Sequence, residues 1–240
     1  MDKLLDVDYL LKSLPHILKY LPVTIWIAVA TMALGMVIGL ATALIRLYKV
    51  PVLRQISAVY VSFVRGTPLL VQIYLVFYGI PKFIYYLQTQ HGWMKGFDVN
   101  LISPEISVLL SFSLNLGAYL SETIRSAIES VDRGQFEAAE SIGMSRKQTM
   151  LKIILPQALT VALPNLGNTF ISTVKDTSLV FIVGVIDIMG EAKIIGARSL
   201  AYFEVFIAVS LIYWPVCIII ERVLAIVEKR IRKYERSAIS

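Results

Sequence analysis

Apolar residues fill this chain in long blocks, and the lengths of those blocks predict membrane helices. Tyr20 to Ile45 carries no charge and is long enough, at about 1.5 Å per helical residue, to cross a bilayer. A second block, Gln55 to Ile80, is interrupted by Arg65-Gly66-Thr67-Pro68, where Thr67 is placed to cap a fresh helix and Pro68 to be its first residue. Pro81 to Ser103 reads as a polar loop. Ser103-Pro104 then opens a third span, Glu105 to about Ile124, whose Ser111, Ser113, Asn115, Tyr119 and Ser121 require a side that faces protein or a cavity. The fourth span, Ile153 to Val174, has a polar side and two prolines, Pro156 and Pro164. Thr177 to Ile188 is apolar but short, which predicts a re-entrant or packed helix. Gly190 to Tyr202 reads as an outer polar loop, Val205 to Ile220 as the fifth span and Arg222 to Arg236 as a basic tail. Ahead of all this, Leu4, Val7, Leu11, Leu14 and Leu18 recur every three or four residues with Lys3, Asp6, Asp8 and Lys12 off the stripe. That pattern predicts an amphipathic helix lying along the membrane interface. The expected fold is all-α and integral to the membrane: five transmembrane helices, an N-terminal interfacial helix and one polar excursion.

The excursion is Gln135 to Pro156, the longest polar interval between apolar blocks. Gly134 frees the backbone ahead of a short helix, Gln135 to Ile142, which Gly143 stops. Ser145, with Gln148 three residues on, forms the capping box of a second helix. Two short helices therefore meet at a glycine elbow. Ala138 and Ala139 add little bulk, so another surface can approach closely, and Glu137 and Glu140 lie near Arg146 and Lys147. Such an elbow suits docking of a partner protein.

Composition supports the membrane reading and narrows the chemistry. Of 240 residues, 57% are hydrophobic and 17% charged, with a mean hydropathy of +0.70. A soluble domain is less apolar and more charged. The formal charge of +6 does not point to nucleic acid, because its distribution has a topological explanation. With five spans and the C-terminal tail inside, the inner side collects Arg46, Lys49, Arg54, Arg65, Arg125, Arg133, Arg146, Lys147, Lys152 and the basic tail. The outer side collects only Lys3, Lys12, Lys19, Lys82, Lys95, Lys193 and Arg198. Cytoplasmic loops carry the excess of lysine and arginine, so the N-terminus is expected outside and the elbow in the cytoplasm. The lone Cys217 lies in an apolar block, and His16 and His91 lack ligand spacing, so no disulfide or metal site is expected. Asp2, Asp6 and Asp8 spoil the basic start of a cleavable signal peptide. No phosphate-binding G-x-x-x-x-G-K-[ST] loop is present, and no catalytic triad or carboxylate pair stands out. Gly35 and Gly39 form a G-x-x-x-G, read equally as a close-packing motif or as tolerated glycines.

Glu137-Ala138-Ala139, then Gly143 after three residues, Ile153 after nine more and Leu155-Pro156 after one closely resemble the signature of membrane subunits of ATP-binding-cassette importers. The tracts RGTP (65–68), NLGAYLSE (115–122) and KDTSL (175–179) resemble the permeases for polar amino acids within that class. SIGM, QTM, ILPQA, VALP and VKDTSL lean toward cystine-type permeases. The resemblance covers roughly residues 18–230 of a single transmembrane domain spanning 1–240, with the coupling loop at 126–156. It implies a non-catalytic translocation subunit in a bacterial cell membrane, working with a separate ATPase subunit that holds ATP and magnesium. It also implies a second permease copy or paralogue and an extracytoplasmic amino-acid-binding protein. Glu137, Ala138, Ala139, Glu140, Gly143, Met144, Leu155 and Pro156 would couple to the ATPase. Arg65, Thr67, Asn115, Tyr119, Glu122, Asn168, Thr173, Lys175 and Asp176 are the candidates along the solute path. Glu122 and Arg125, three apart, can pair, as can the adjacent Lys175 and Asp176. A secondary carrier or channel for small polar solutes is the rival reading, and it leaves the cytoplasmic signature without a role.

Overall fold

A computed structural model describes residues 4–94 and 96–239, the side chains of 100 and 232–239 excepted. Lys3 and Lys95, and the side chains of Asn100, Arg232, Lys233 and Arg236, lie outside it. The described residues form α-helices joined by short 3₁₀ and π segments, with no strand among them. In chain order these are α1 (Val7–Leu18), α2 (Leu21–Leu47), α3 (Leu53–Gly66), α4 (Leu69–His91), α5 (Pro104–Glu129), α6 (Arg133–Ser141), α7 (Arg146–Thr149), α8 (Leu155–Asp176), α9 (Ile188–Ser199) and α10 (Tyr202–Ile239). Among the described residues, four helical runs are long and apolar enough to cross a membrane: Leu21–Leu47, Leu69–His91, Arg146–Val183 and Tyr202–Ile231. Trp26, Val37, Val59, Leu75, Trp214 and Ile219 are exposed on them and their neighbours, as a surface facing lipid requires.

The expected third span, α5, is not among those four. It has the length, 26 residues, but Ser107, Ser111, Ser113 and Ser121 dilute its apolar character. They are buried in protein, because α5 is packed by α2, α3, α4 and α8. Its largest interface, with α2, is set by three glycines. A Cβ on Gly35 would stand 2.9 Å from Leu116 Cβ, one on Gly39 2.8 Å from Leu120 Cβ, and one on Gly117 2.5 Å from Ile38 Cγ2. The G-x-x-x-G of α2 is therefore a close-packing seam, answered by a glycine of α5.

Several boundaries move from their expected places. The second block is two helices, and α4 alone is of spanning length. Thr67 closes α3 in an extended conformation, with its hydroxyl donating to Phe63 O at 2.9 Å, while Pro68 takes the N-cap position of α4. Pro81 does not end α4, which runs on to His91 and stops at the left-handed Gly92. Proline is tolerated where the surrounding structure satisfies the freed carbonyl. At the N-terminus, α1 packs on α9 and α10 through Leu10, Ser13 and Ile17, whereas Val7, Leu11 and Leu18 are exposed. Most of the leucine stripe thus looks outward, while Leu14 and the adjacent face dock on the bundle. Residues 190–202, expected as a polar loop, lie mostly in the helix α9, which starts at Ile188. Small residues make this possible: Gly190 lies against Phe181, Gly196 against the Tyr202 ring, and Ala192 is fully buried. The basic tail is not a separate segment but the last turns of α10.

The start of α9 exposes a residue that the sequence did not single out. Asp187 is wholly buried. Its Oδ1 accepts from the Gly190 N–H at 2.9 Å, and its Oδ2 from the hydroxyls of Thr24 (3.4 Å), Thr177 (3.4 Å) and Tyr213 (3.3 Å). One carboxylate thus gathers donors from α2, the 3₁₀ turn Thr177–Val183, α9 and α10.

Candidate functional site

The break between α3 and α4 shapes one wall of a cavity. Gln72, one turn into α4 and buried, donates through Nε2 to Val64 O (2.8 Å), Thr67 O (3.0 Å) and Thr67 Oγ1 (2.9 Å). The first two are carbonyls that the interrupted helix leaves without partners. Asn115 of α5 in turn donates to Gln72 Oε1 at 3.0 Å. The opposite wall is a polar stripe on α8. Asn165, Asn168, Thr169, Ser172, Thr173 and Asp176 recur at three- and four-residue intervals, so they share one face. Thr169 and Thr173 direct their hydroxyls to the carbonyls of Asn165 (2.7 Å) and Thr169 (2.8 Å), and Asn165 donates to Thr123 Oγ1 of α5 (2.9 Å).

Between the walls lies an open cavity of about 450 Å3, lined by Thr67, Asn115, Tyr119, Asn165, Asn168, Thr169, Ser172, Thr173 and Asp176, with Pro68, Leu69, Leu116 and Leu179 between them. Six of the nine path candidates line it: Thr67, Asn115, Tyr119, Asn168, Thr173 and Asp176. Arg65 reaches its edge, with the guanidinium 5.6 Å above the Tyr119 ring. Glu122 and Lys175 are not part of the lining. Glu122 is tied into ion pairs with Arg46 and Arg125, and no ion pair joins Lys175 to Asp176 among the described residues. Adjacent helical residues point about 100° apart, so Asp176 faces the cavity while Lys175 does not line it. Gln72 is unmarked in sequence because its partner across the helices, Asn115, is 43 residues away, and Asn165 reads only as part of the fourth span's polar side because its partner Thr123 is 42 residues away.

At the other end of the bundle the polar excursion folds as a capped elbow. Asp132, not Gly134, starts α6, its Oδ1 accepting from the Gly134 N–H at 2.6 Å. The helix ends in a paired closure: Gly143 N–H to Glu140 O and Met144 N–H to Ala139 O, both at 3.0 Å, with Gly143 at φ +78°. This is the Schellman arrangement, which requires a left-handed residue at that point. Ser145 N–H donates to Gln148 Oε1 at 2.9 Å, and Gln148 N–H returns to Ser145 Oγ at 3.4 Å, completing the capping box. The second helix is longer than expected: α7 runs through a π turn, Met150–Ile154, into α8 without a break. Glu137, Ala138, Glu140, Gly143 and Pro156 are exposed, Met144 and Leu155 half-buried, and Ala139 buried at 1%. Of the two alanines, therefore, Ala138 leaves room for a visitor and Ala139 seats α6 on its own bundle. Ile142, 76% exposed in the middle of the polar elbow, is the residue that motif reading passed over.

With this geometry in place, the chain can be set beside known proteins. Residues 35–233 match the family model for the inner-membrane component of binding-protein-dependent transport systems. The chain belongs to this family. It is 40% identical, over 97% of its own length and 94% of the relative's, to the L-cystine transport system permease protein TcyL of Bacillus subtilis. It is 42% identical to the probable amino-acid ABC transporter permease protein PatM of Vibrio harveyi, over 95% and 97% of the two chains. Among solved structures, a crystal structure of an amino acid ABC transporter with histidines superposes with a TM-score of 0.82 at 30% identity, covering 95% of this chain and all of that one. The inward-facing MetNI methionine ABC transporter shares the fold, with a TM-score of 0.68 at 16% identity. The chain is thus a multi-pass inner-membrane permease subunit, non-catalytic, of a transporter whose ATPase is a separate subunit.

Proposed function

We propose that this chain is the translocation subunit of an importer that carries a polar amino acid into the cell by alternating access, with L-cystine the favoured solute. The observation that carries the reading is the cavity of about 450 Å3 between α4, α5 and α8. Its lining is amide and hydroxyl on two sides, Asp176 supplies a carboxylate, and Arg65 stacked on Tyr119 supplies a cation at the edge. A zwitterion needs both signs within reach. The lean to cystine is supported by the 40% identity to the cystine permease of Bacillus subtilis.

In this reading α5 is a fifth crossing, buried among the other four. The N-terminus is outside and the C-terminus inside, so the elbow faces the cytoplasm. The exposed Glu137, Ala138, Glu140 and Ile142 seat in a groove of the ATPase subunit, which binds ATP and magnesium. A second permease copy or paralogue completes the pathway, and an extracytoplasmic binding protein delivers the solute. Closure of the ATPase pair moves α6 and α7, the spans rock, and access to the cavity switches sides. The bias between the two states must come from differential binding of the partners.

Uptake into proteoliposomes tests this, using the chain with its candidate ATPase and binding protein and labelled cystine, arginine, glutamine and histidine. Uptake of cystine that requires ATP and the ATPase, and that Glu137→Lys abolishes, is the expected result. ATP-dependent uptake of another of the four overturns the cystine assignment, and uptake indifferent to ATP overturns the importer.

A further inference from the structure

The last turn of α2 is fastened to α5 by a chain of charges at the end of the bundle that carries the elbow. Arg46 Nη1 pairs with Glu122 Oε1. The other oxygen, Glu122 Oε2, accepts from Arg125 Nη2 at 2.8 Å and Arg125 Nε at 3.2 Å. Arg125 Nη1 continues to Glu129 Oε2 at 2.6 Å. The inner members are largely shielded, with 23%, 19% and 29% of the Arg46, Glu122 and Arg125 side chains exposed. Glu122 is the junction, since both its oxygens are used and, among the described residues, it is the ion-pair partner through which Arg46 reaches α5. Glu129 is the last residue of α5, and Asp132, three residues on, caps α6.

Beneath this chain lies an apolar cluster that holds the same elements together. Ala127, Ile128 and Val131 pack with Ile154, and Leu47 of α2, Phe136 of α6 and Met150 close the cluster. Further along, the glycine seam leaves α2 and α5 no slack. The two helices can therefore move as one body, provided their ends are fastened where the elbow pulls.

We propose that Glu122 is a positioning residue for coupling: by clamping Arg46 to Arg125 it delivers movement of the elbow to α2 as well as to α5. Its place outside the cavity lining fits this role and removes it from contact with the solute. The inference rests on the proposed docking of an ATPase at the elbow.

The test is a double-mutant cycle of Arg46→Gln, Glu122→Gln and both together, in the complete transporter in proteoliposomes. The readout is ATP hydrolysed per solute imported, with subunit assembly and unfolding midpoint measured alongside. Each single variant is expected to raise that ratio about two- to fivefold, the range of a partly shielded, networked ion pair. Assembly and midpoint should stay close to wild type, and the double variant should be no worse than the worse single, because both remove the same link. An unchanged ratio, additive effects, or a ratio that follows the midpoint overturns the proposal while leaving the importer standing. A wild-type chain that neither assembles with the ATPase nor imports overturns the importer reading and this inference with it.

Discussion

The α2–α5 seam makes a prediction whose sign depends on which glycine is changed. A Cβ at Gly117 would sit 2.5 Å from Ile38 Cγ2 and 2.8 Å from Ile38 Cβ, where ordinary contact begins at 3.4 Å. Ile38 is β-branched and stiff, so it cannot swing clear. Gly117→Ala must push the helices apart by roughly 1 Å, and a gap of that size forfeits about a quarter to a half of each dispersion contact along the seam. Overpacking of this kind costs about 1–3 kcal/mol, against which alanine returns about 1 kcal/mol of helix propensity. Gly79, inside α4, has nothing within 4 Å of its would-be Cβ, so Gly79→Ala collects the propensity gain alone. The two variants should differ by the overpacking cost, about 1–3 kcal/mol, or roughly 2–12 °C in midpoint for a chain of this length. Gly39→Ala, blocked by Leu120 Cβ at 2.8 Å and the Ser121 backbone nitrogen at 3.1 Å, should fall with Gly117→Ala. Thermal unfolding of the purified chain in detergent, followed by tryptophan fluorescence, measures the difference. Equal midpoints for the Gly117 and Gly79 variants would falsify the seam as a close-packed contact.

At the elbow, Gly143→Val forces a β-branched residue to φ +78° at a strain of about 1–2 kcal/mol, whereas Gly143→Asn should cost less because asparagine visits that region. Pull-down of the candidate ATPase should weaken in that order; equal retention by both variants would show that the left-handed turn is not needed for docking. Asp187→Ala removes the acceptor of the Gly190 N–H and of the Thr24 and Tyr213 hydroxyls in a buried site, while Thr177 keeps its bond to Val174 O, at about 1–3 kcal/mol for each group that finds no other partner. Its midpoint should drop further than that of Ser145→Ala, which removes one exposed cap worth about 1 kcal/mol. A smaller drop for Asp187→Ala would mean that the hydroxyls satisfy one another without it.

What was legible in the sequence divides by the distance over which each signal acts. Ser145 and Gln148 are three residues apart, and Gly143 stops α6 by its own backbone freedom, so the elbow could be read from adjacent letters. The polar side of α8 could be read the same way, from spacing alone. Which helix faces that side could not: Gln72 earns its place by meeting a break eight residues behind it and an asparagine 43 residues ahead. Asp187 looked like one acid in an apolar stretch because Thr24 is 163 residues away. The error at α9 has the same cause with the opposite sign. Gly190 and Gly196 are poor helix formers taken locally, and they become assets only where Phe181 and Tyr202 press against them. Glu122 joins the two cases. Its pairing with Arg125 is a three-residue signal and could be read locally, but the partner on which the proposed clamp depends is Arg46, 76 residues upstream. The surroundings of a charge inside a helical bundle are thus set by a distant residue, and local spacing alone does not name that residue.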